Sequence, residues 1–304
     1  MLRASSLDGA LSNQIAVEGE YAHTLTLSTT YSAAASLQVR QHAGDLPDVS
    51  TAAQLAGTEQ VPGVYAMLRP GSDGSNLYIS VHGFEYAGTV NATLIQPGVT
   101  PQSTSLSYSS ATGTYSGTTA LPTGQIGGTG TIQVLGVSAN GRGVMLNNAF
   151  ALHTVPGQQV LDLYSTDGML HLHLPPAAFD SRTFVTITPL SMLPAEPPDD
   201  RVTVGSAYSA IPSGARTGAD KPVVLVFRYD QRLLESMGVD PDALHIYRWK
   251  PDVDGSADGG TWEQLESSLL PNDRSVSATT RHFGIYALMG TRSPGTLYLP
   301  LIMR

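Results

Sequence analysis

Pro222-Val223-Val224-Leu225-Val226-Phe227 opens the stretch that decides the fold, and the stretch runs on to Leu288. Its first segment is a compact apolar run of strand length. Leu244-His245-Ile246-Tyr247-Arg248-Trp249 then alternates apolar and polar residues, as do Ser275-Val276-Ser277-Ala278 and His282-Phe283-Gly284-Ile285-Tyr286-Ala287-Leu288. A period of two, with turn residues between the runs, predicts strands that each bury one face. A short helical turn fits between the first two runs, and an Asp/Gly loop follows Trp249. The succession predicts an all-β module of extracellular architecture rather than an enzyme core.

Composition points the same way. The 304-residue chain is long enough for two domains with cores of their own. Hydrophobic residues make up 41% of it, enough for folding, while charged residues make up only 13%, about half of what soluble domains carry. Gly (31) and Pro (20) fill much of the gap, a mixture suited to short strands and turns and poorly suited to helical bundles. The formal net charge is -9, and Lys221 and Lys250 are the sole lysines. Phosphate neutralisation needs clustered cations, so nucleic-acid binding is not expected. The absence of cysteine removes disulfides, thiolate metal sites and thiol nucleophiles. No apolar run is long enough to span a bilayer as a helix. Met1–Ser6 has no apolar signal core, so if the protein is secreted this sequence is expected to be a fragment, a mature form, or one whose start is set too late.

Upstream, Gln14–Val17, His23–Leu27 and Ser36–Arg40 read as strands, and residues 41–62 as a long polar connection. From Val64 the strand rhythm resumes through Val64–Leu68, Leu77–Val81, Phe84–Val90, Ala92–Gln96, Ser103–Tyr108, Thr114–Thr118, Gly130–Val137 and Val144–His153. This spacing, with Thr112-Gly113 and Asn140-Gly141 as hairpin turns, is the pattern of a β-sandwich. Pro156-Gly157 marks the expected boundary with a second β domain. That domain begins with Leu161–Tyr164, Leu170–Leu174, Thr183–Pro189 and Tyr208–Ile211.

The second half resembles a known family. Ser165-Thr166-Asp167-Gly168-Met169-Leu170, Leu174-Pro175-Pro176-Ala177-Ala178-Phe179 and Thr186-Ile187-Thr188-Pro189-Leu190 together resemble the ZU5 domain. Tyr208–Gly214 followed by Lys221-Pro222-Val223 continues the likeness. Phe227–Asp230, Leu244–Trp249, Thr261–Leu265 and His282–Leu288 resemble the C-terminal extension of that domain in bacterial surface proteins. The resemblance covers residues 157–290. It implies an all-β fold and a role in protein architecture or interaction, without a cofactor. Some members cleave their own backbone at a His-Phe-Ser site, whereas this chain has His282-Phe283-Gly284 and lacks the hydroxyl such cleavage needs. The expected architecture is therefore two tandem β-sandwich domains. Residues 1–155 form an immunoglobulin-like one, within which 1–60 can be a separate or partial element, and residues 157–290 form the ZU5-like one. An apolar tail, 291–304, completes the chain. Its end, Leu297–Arg304, resembles a short tail of secreted proteins in filamentous bacteria, and a final edge strand is the alternative.

Few residue groups suggest chemistry. Asp252, Asp254 and Asp258 place carboxylates in one flexible loop, the donor type that Ca²⁺ prefers, although EF-hand spacing is absent and Lys250 lies close by. A solvated hairpin loop explains the same residues. His171 and His173, two apart on an expected strand, point to one face and suit a metal if a neighbouring strand supplies a third ligand. None is evident in the sequence, and plain surface histidines explain the pair. Trp249 and Trp262 flank the Asp/Gly loop. Exposed, they would stack on a sugar ring, and buried, they form the hairpin core. No G-x-S-x-G motif occurs, and no catalytic carboxylate pair stands out. The sequence thus predicts a non-enzymatic structural or adhesive module of a secreted or cell-surface bacterial protein. Its partner would be a protein or a cell-surface component, glycans included. The alternative is a carbohydrate-binding module of a larger extracellular enzyme.

Overall fold

The computed structural model describes residues 64–292, apart from 84–86, 122–126, 139–142, 191, 199, 216 and 253–258. Ahead of these it describes the backbone of four strands, β1 (Leu2–Ser6), β2 (Ser12–Ile15), β3 (Ala35–Gln41) and β4 (Val49–Leu55). They pair antiparallel in the order β2-β1-β3-β4, as a sheet of their own. Strand β4 stands where the sequence reads as connection. The expected strand at His23–Leu27, the turn at Asn140-Gly141 and the tail Leu297–Arg304 lie outside the described residues.

The remainder is predominantly β, as expected. Strands β5 (Tyr65–Pro70), β6 (Asn76–His82), β7 (Ala87–Ile95), β8 (Gln102–Ser109), β9 (Thr114–Ala120), β10 (Gly128–Ser138) and β11 (Gly143–Val155) come first. Then follow β12 (Leu161–Tyr164), β13 (Leu170–Leu174), β14 (Thr183–Leu190), β15 (Arg201–Thr203), β16 (Ala207–Pro212) and β17 (Gly218–Arg228). A helix, α1 (Gln231–Met237), precedes β18 (His245–Pro251), β19 (Gly260–Gln264), β20 (Ser267–Leu270), β21 (Ser275–His282) and β22 (Gly284–Thr291). Asp230 caps α1 by accepting from the Arg232 N–H, and Gly238 ends it in the left-handed conformation at φ 65°.

A 13-stranded antiparallel sheet runs β19-β18-β22-β16-β14-β11-β10-β7-β8-β9-β6-β5, with β15 on β22. It folds over on itself at β8, whose first half pairs with β7 (Val90↔Leu106 to Leu94↔Gln102) and whose second half pairs with β9 (Ser107↔Ser116 to Ser109↔Thr114). Alternation then aims Leu77, Ile79 and Val81 of β6 at Ile132 and Val134 of β10 and at Leu146 and Phe150 of β11, and all are buried. This first core also takes Phe184, which lies beyond Pro156-Gly157.

The other end of the long sheet is covered by a five-stranded sheet, β12-β13-β17-β21-β20. Leu170, Leu172, Leu225, Phe227 and Val276 from that sheet pack against Val185, Ile187, Tyr208, Tyr286 and Leu288. The Pro156-Gly157 turn separates β11 from β12, yet β11 pairs directly with β14 from Ala151↔Ile187 to Val155↔Thr183. One sheet therefore serves both sandwiches.

A third buried cluster joins them on the far face of β16 and β22. Tyr65 packs there with Ala207, Tyr247, Trp249, Ile285 and Met289, and Met67 packs against the same cluster. Strand β5 thus sends Ala66 and Leu68 into the first core and Tyr65 and Met67 into the joint.

The free edge of β5 is closed by side chains. Asn148 Nδ2 donates to the Ala66 carbonyl at 3.4 Å, and Thr186 Oγ1 donates to the Leu68 carbonyl at 2.5 Å. The same hydroxyl lies 3.2 Å from the Ile211 carbonyl. Arg69 Nη1 reaches the Gly214 carbonyl at 2.6 Å. Thr188, on the same face of β14, has a buried Oγ1 with no hydrogen-bond partner among the described residues. A buried acceptor stripped of its donor costs about 1–3 kcal/mol, whereas an unpaired hydroxyl is replaced by a methyl group at little cost. Thr186→Val is therefore expected to lower the unfolding free energy by about 1–3 kcal/mol, and Thr188→Val to leave it unchanged or raise it, as read from chemical denaturation of the two variants.

Candidate metal centre

Strands β12 and β13 form a hairpin at the edge of the five-stranded sheet, with Leu161↔Leu174, Asp162↔His173, Leu163↔Leu172 and Tyr164↔His171 in register. Leu163, Leu170, Leu172 and Leu174 face the core. The alternate positions Asp162, Tyr164, His171 and His173 therefore share the outer face.

The connecting turn sets this register. Ser165 N–H donates to the Leu170 carbonyl, Gly168 N–H donates back to Ser165, and Gly168 sits at φ 70°, which a glycine adopts without strain. Asp167 Oδ1 accepts from Ser165 Oγ at 2.6 Å and from the Met169 N–H at 3.1 Å. Its other oxygen accepts from Tyr208 Oη on β16 at 2.7 Å. Burial first, and then this hydrogen bond to Asp167, push the Tyr208 hydroxyl far above its usual pKa. The hairpin is thereby tied to the opposite layer through a neutral phenol.

On the outer face the two imidazoles converge on one oxygen. Asp162 Oδ1 lies 2.9 Å from His171 Nε2 and 2.8 Å from His173 Nδ1, so the carboxylate accepts from both rings. The three ligand atoms all lie within 4.8 Å of one another. Hydrogen bonds from His171 and then His173 hold the Asp162 carboxyl below its usual range. The Tyr164 ring stacks on His171 with centroids 4.6 Å apart and planes 11° apart, which fixes that imidazole's orientation. Side-chain exposure is 21% for His171 and 45% for both Asp162 and His173, so solvent reaches the cluster.

The third candidate donor, which the His171/His173 pair lacks in the sequence, is thus Asp162. Its signal was present: Leu161-Asp162-Leu163-Tyr164 alternates, and the hairpin turn Ser165–Gly168 places Asp162 opposite His173. The other expected sites look different. Asp252 is exposed and its N–H donates to the Gly259 carbonyl, while Asp254 and Asp258 lie outside the described residues. Trp249 is buried (6% exposed) and meets its cross-strand partner Trp262 edge-on at 5.4 Å. A Cβ on Gly260 would fall 2.4 Å from the Trp249 ring, so the glycine makes room for it. Trp262 is half-buried and its Nε1 donates to the Ala195 carbonyl. The Trp249 faces are taken up by protein, which leaves no exposed pair of tryptophan rings for a sugar. At His282-Phe283-Gly284 the chain passes from one layer to the other, with Phe283 buried and Tyr286 Oη donating to the His282 carbonyl.

Two outcomes follow from the supports of this hairpin. Asp167→Ala strips Tyr208 of its acceptor and the turn of its tie, and is expected to cost about 2 kcal/mol in chemical denaturation. His153 on β11, behind the hairpin, donates through Nε2 to the Tyr164 carbonyl at 2.8 Å, yet burial holds its pKa below the usual imidazole value. Burial, with the Arg201 charge beside it, lowers His245 likewise. The unfolded chain then binds protons that the folded chain refuses, so stability is full above pH about 6.5 and declines as pH falls below it. Thermal unfolding at pH 7.5 and 5.5 is expected to show this loss, and His153→Gln with His245→Gln to reduce it.

Comparison with protein-family models and with curated proteins finds no match for this chain.

Proposed function

We propose that this chain is a non-enzymatic structural and adhesive module of a secreted or cell-surface bacterial protein. In this reading the first sandwich is immunoglobulin-like and the second ZU5-like, and the partner is a protein or another cell-surface component. The observation that supports it best is the 13-stranded sheet shared by both sandwiches, sealed by the Tyr65–Trp249 cluster. Two sandwiches on separate sheets joined by a linker would hinge. Two that share strands and a buried joint hold a fixed spacing, which is what a spacer or presenting module requires. No described helix is long and apolar enough to cross a membrane. The low charge content and turn-rich composition suit such a role as well.

The rival reading, a carbohydrate-binding module, needs an aromatic platform open to solvent. Trp249 is buried and Trp262 half-buried, so the tryptophans favour the structural reading. Edge strands β19 and β20 leave backbone groups for strand addition by a partner.

Pulling the full chain between handles is expected to unfold residues 64–292 in one rupture, and a glycan array to return no hits. Separate ruptures on either side of Pro156 would sink the spacer reading. Reproducible glycan hits abolished by Trp262→Ala would replace it with sugar binding.

A further inference from the structure

We propose that Asp162, His171 and His173 form a binding site for a divalent transition-metal ion of the zinc class on the outer face of the β12–β13 hairpin. This goes beyond the spacer reading and stands or falls independently of it.

The argument begins with the donors. Two imidazole nitrogens and one carboxylate oxygen make a mixed N/O set, which suits Zn²⁺, Ni²⁺ or Cu²⁺, whereas Ca²⁺ and Mg²⁺ ask for oxygen throughout. The arrangement is convergent: both rings aim a nitrogen at the same atom, Asp162 Oδ1, at 2.9 and 2.8 Å. Ligands about 2.1 Å from a tetrahedral zinc stand roughly 3.4 Å apart. The two nitrogen–oxygen separations are somewhat shorter than this and no pair of donors is more than 4.8 Å apart, so small side-chain rotations suffice to seat the ion. No backbone movement is needed, because the donors sit on paired strands whose register the Asp167 turn and the leucine core fix.

Charge also fits. A carboxylate with two neutral imidazoles carries one negative charge, and each ring proton that now faces Asp162 moves to the ring's other nitrogen by exchange with solvent, which frees the facing nitrogen for the dication. Tyr164 holds the His171 ring in the plane that its Nε2 needs, with centroids 4.6 Å apart. The exposure of Asp162 and His173, 45% each, gives the ion a route in and leaves its remaining positions to water or to a donor from outside. Simple surface hydrogen bonding explains one His–Asp contact. Two histidines spaced to share a single oxygen, from a strand whose direct partner carries the carboxylate, are what a three-ligand site requires.

The test is calorimetric titration of Zn²⁺ into the untagged, chelator-treated full chain. One equivalent is expected to bind, and millimolar Ca²⁺ or Mg²⁺ to leave the isotherm unchanged. His171→Ala and His173→Ala are each expected to weaken binding at least tenfold, Asp162→Asn to weaken it as well, and His282→Ala to have no effect. Circular dichroism confirms that each variant folds. The absorption spectrum of the Co²⁺-loaded wild-type chain provides a reading that needs no variant, with intense visible bands expected for a four-coordinate N/O site. Absence of binding, displacement by Ca²⁺, or full-strength binding by the His171→Ala/His173→Ala double variant would overturn the proposal.

Discussion

An unpaired strand edge inside a protein must find hydrogen-bond partners, and β5 meets that demand with side chains. Its backbone pairs with β6 on one side only. On the other side it lies against β14 and β16, where no backbone ladder reaches it. Asn148 and Thr186 donate to the carbonyls of Ala66 and Leu68, and Arg69 ties the strand's end to Gly214. These bonds let a single sheet fold over and close on itself without a backbone seam. Left open and buried, each carbonyl would cost more than a hydrogen bond returns.

That constraint explains the composition of β14. Val185 and Ile187 face the second core, and Phe184 faces the first. Thr186 and Thr188 lie on the Phe184 face and are wholly buried, and Ser209 opposite Thr188 is buried too. In a sheet packed only on one side, these hydroxyls would mark the solvent face. Here they mark the face beneath β5, where the Thr186 donor is worth more than a methyl group, while the Thr188 and Ser209 hydroxyls are buried without a partner among the described residues. The strand is therefore shared by two cores, and the sandwiches on either side of it cannot move as independent bodies.

This is also where the sequence is hardest to read. The alternation Val185-Thr186-Ile187-Thr188 signals one buried face and one wet one, and nothing local reveals that β5, over a hundred residues earlier, covers the second. The local features were legible: Leu161–Tyr164 and Leu170–Leu174 fall at the bounds the alternation predicts, and the short helix lies between its two strands. The three residues of β15 are too few to show a period, and β20, Ser267-Ser268-Leu269-Leu270, does not alternate. Trp249 and Trp262 were open to two readings. The joint between the sandwiches, a tertiary feature, buries the first and half-covers the second. The candidate site was half legible, since His171 and His173 share a face by spacing alone. Asp162 needed the hairpin register, which the turn Ser165–Gly168 encodes but which becomes visible only when the two strands are laid side by side.

The hairpin's place in the fold decides what sort of site it can be. Zinc-finger sites are built by the metal, because the chain around them has too little core to fold alone. Here the inward side chains of β12 and β13 belong to the second sandwich's core, and the turn is fastened to β16 through Asp167 and Tyr208. The scaffold is paid for before any ion arrives. An ion then exchanges two imidazole–carboxylate hydrogen bonds for coordinate bonds at the same atoms, on strands that are already held. Folding therefore does not wait on the ion, an ion that binds the folded chain adds stability by mass action, and on the outer face a fixed dication with open positions is something a partner's own donor can complete.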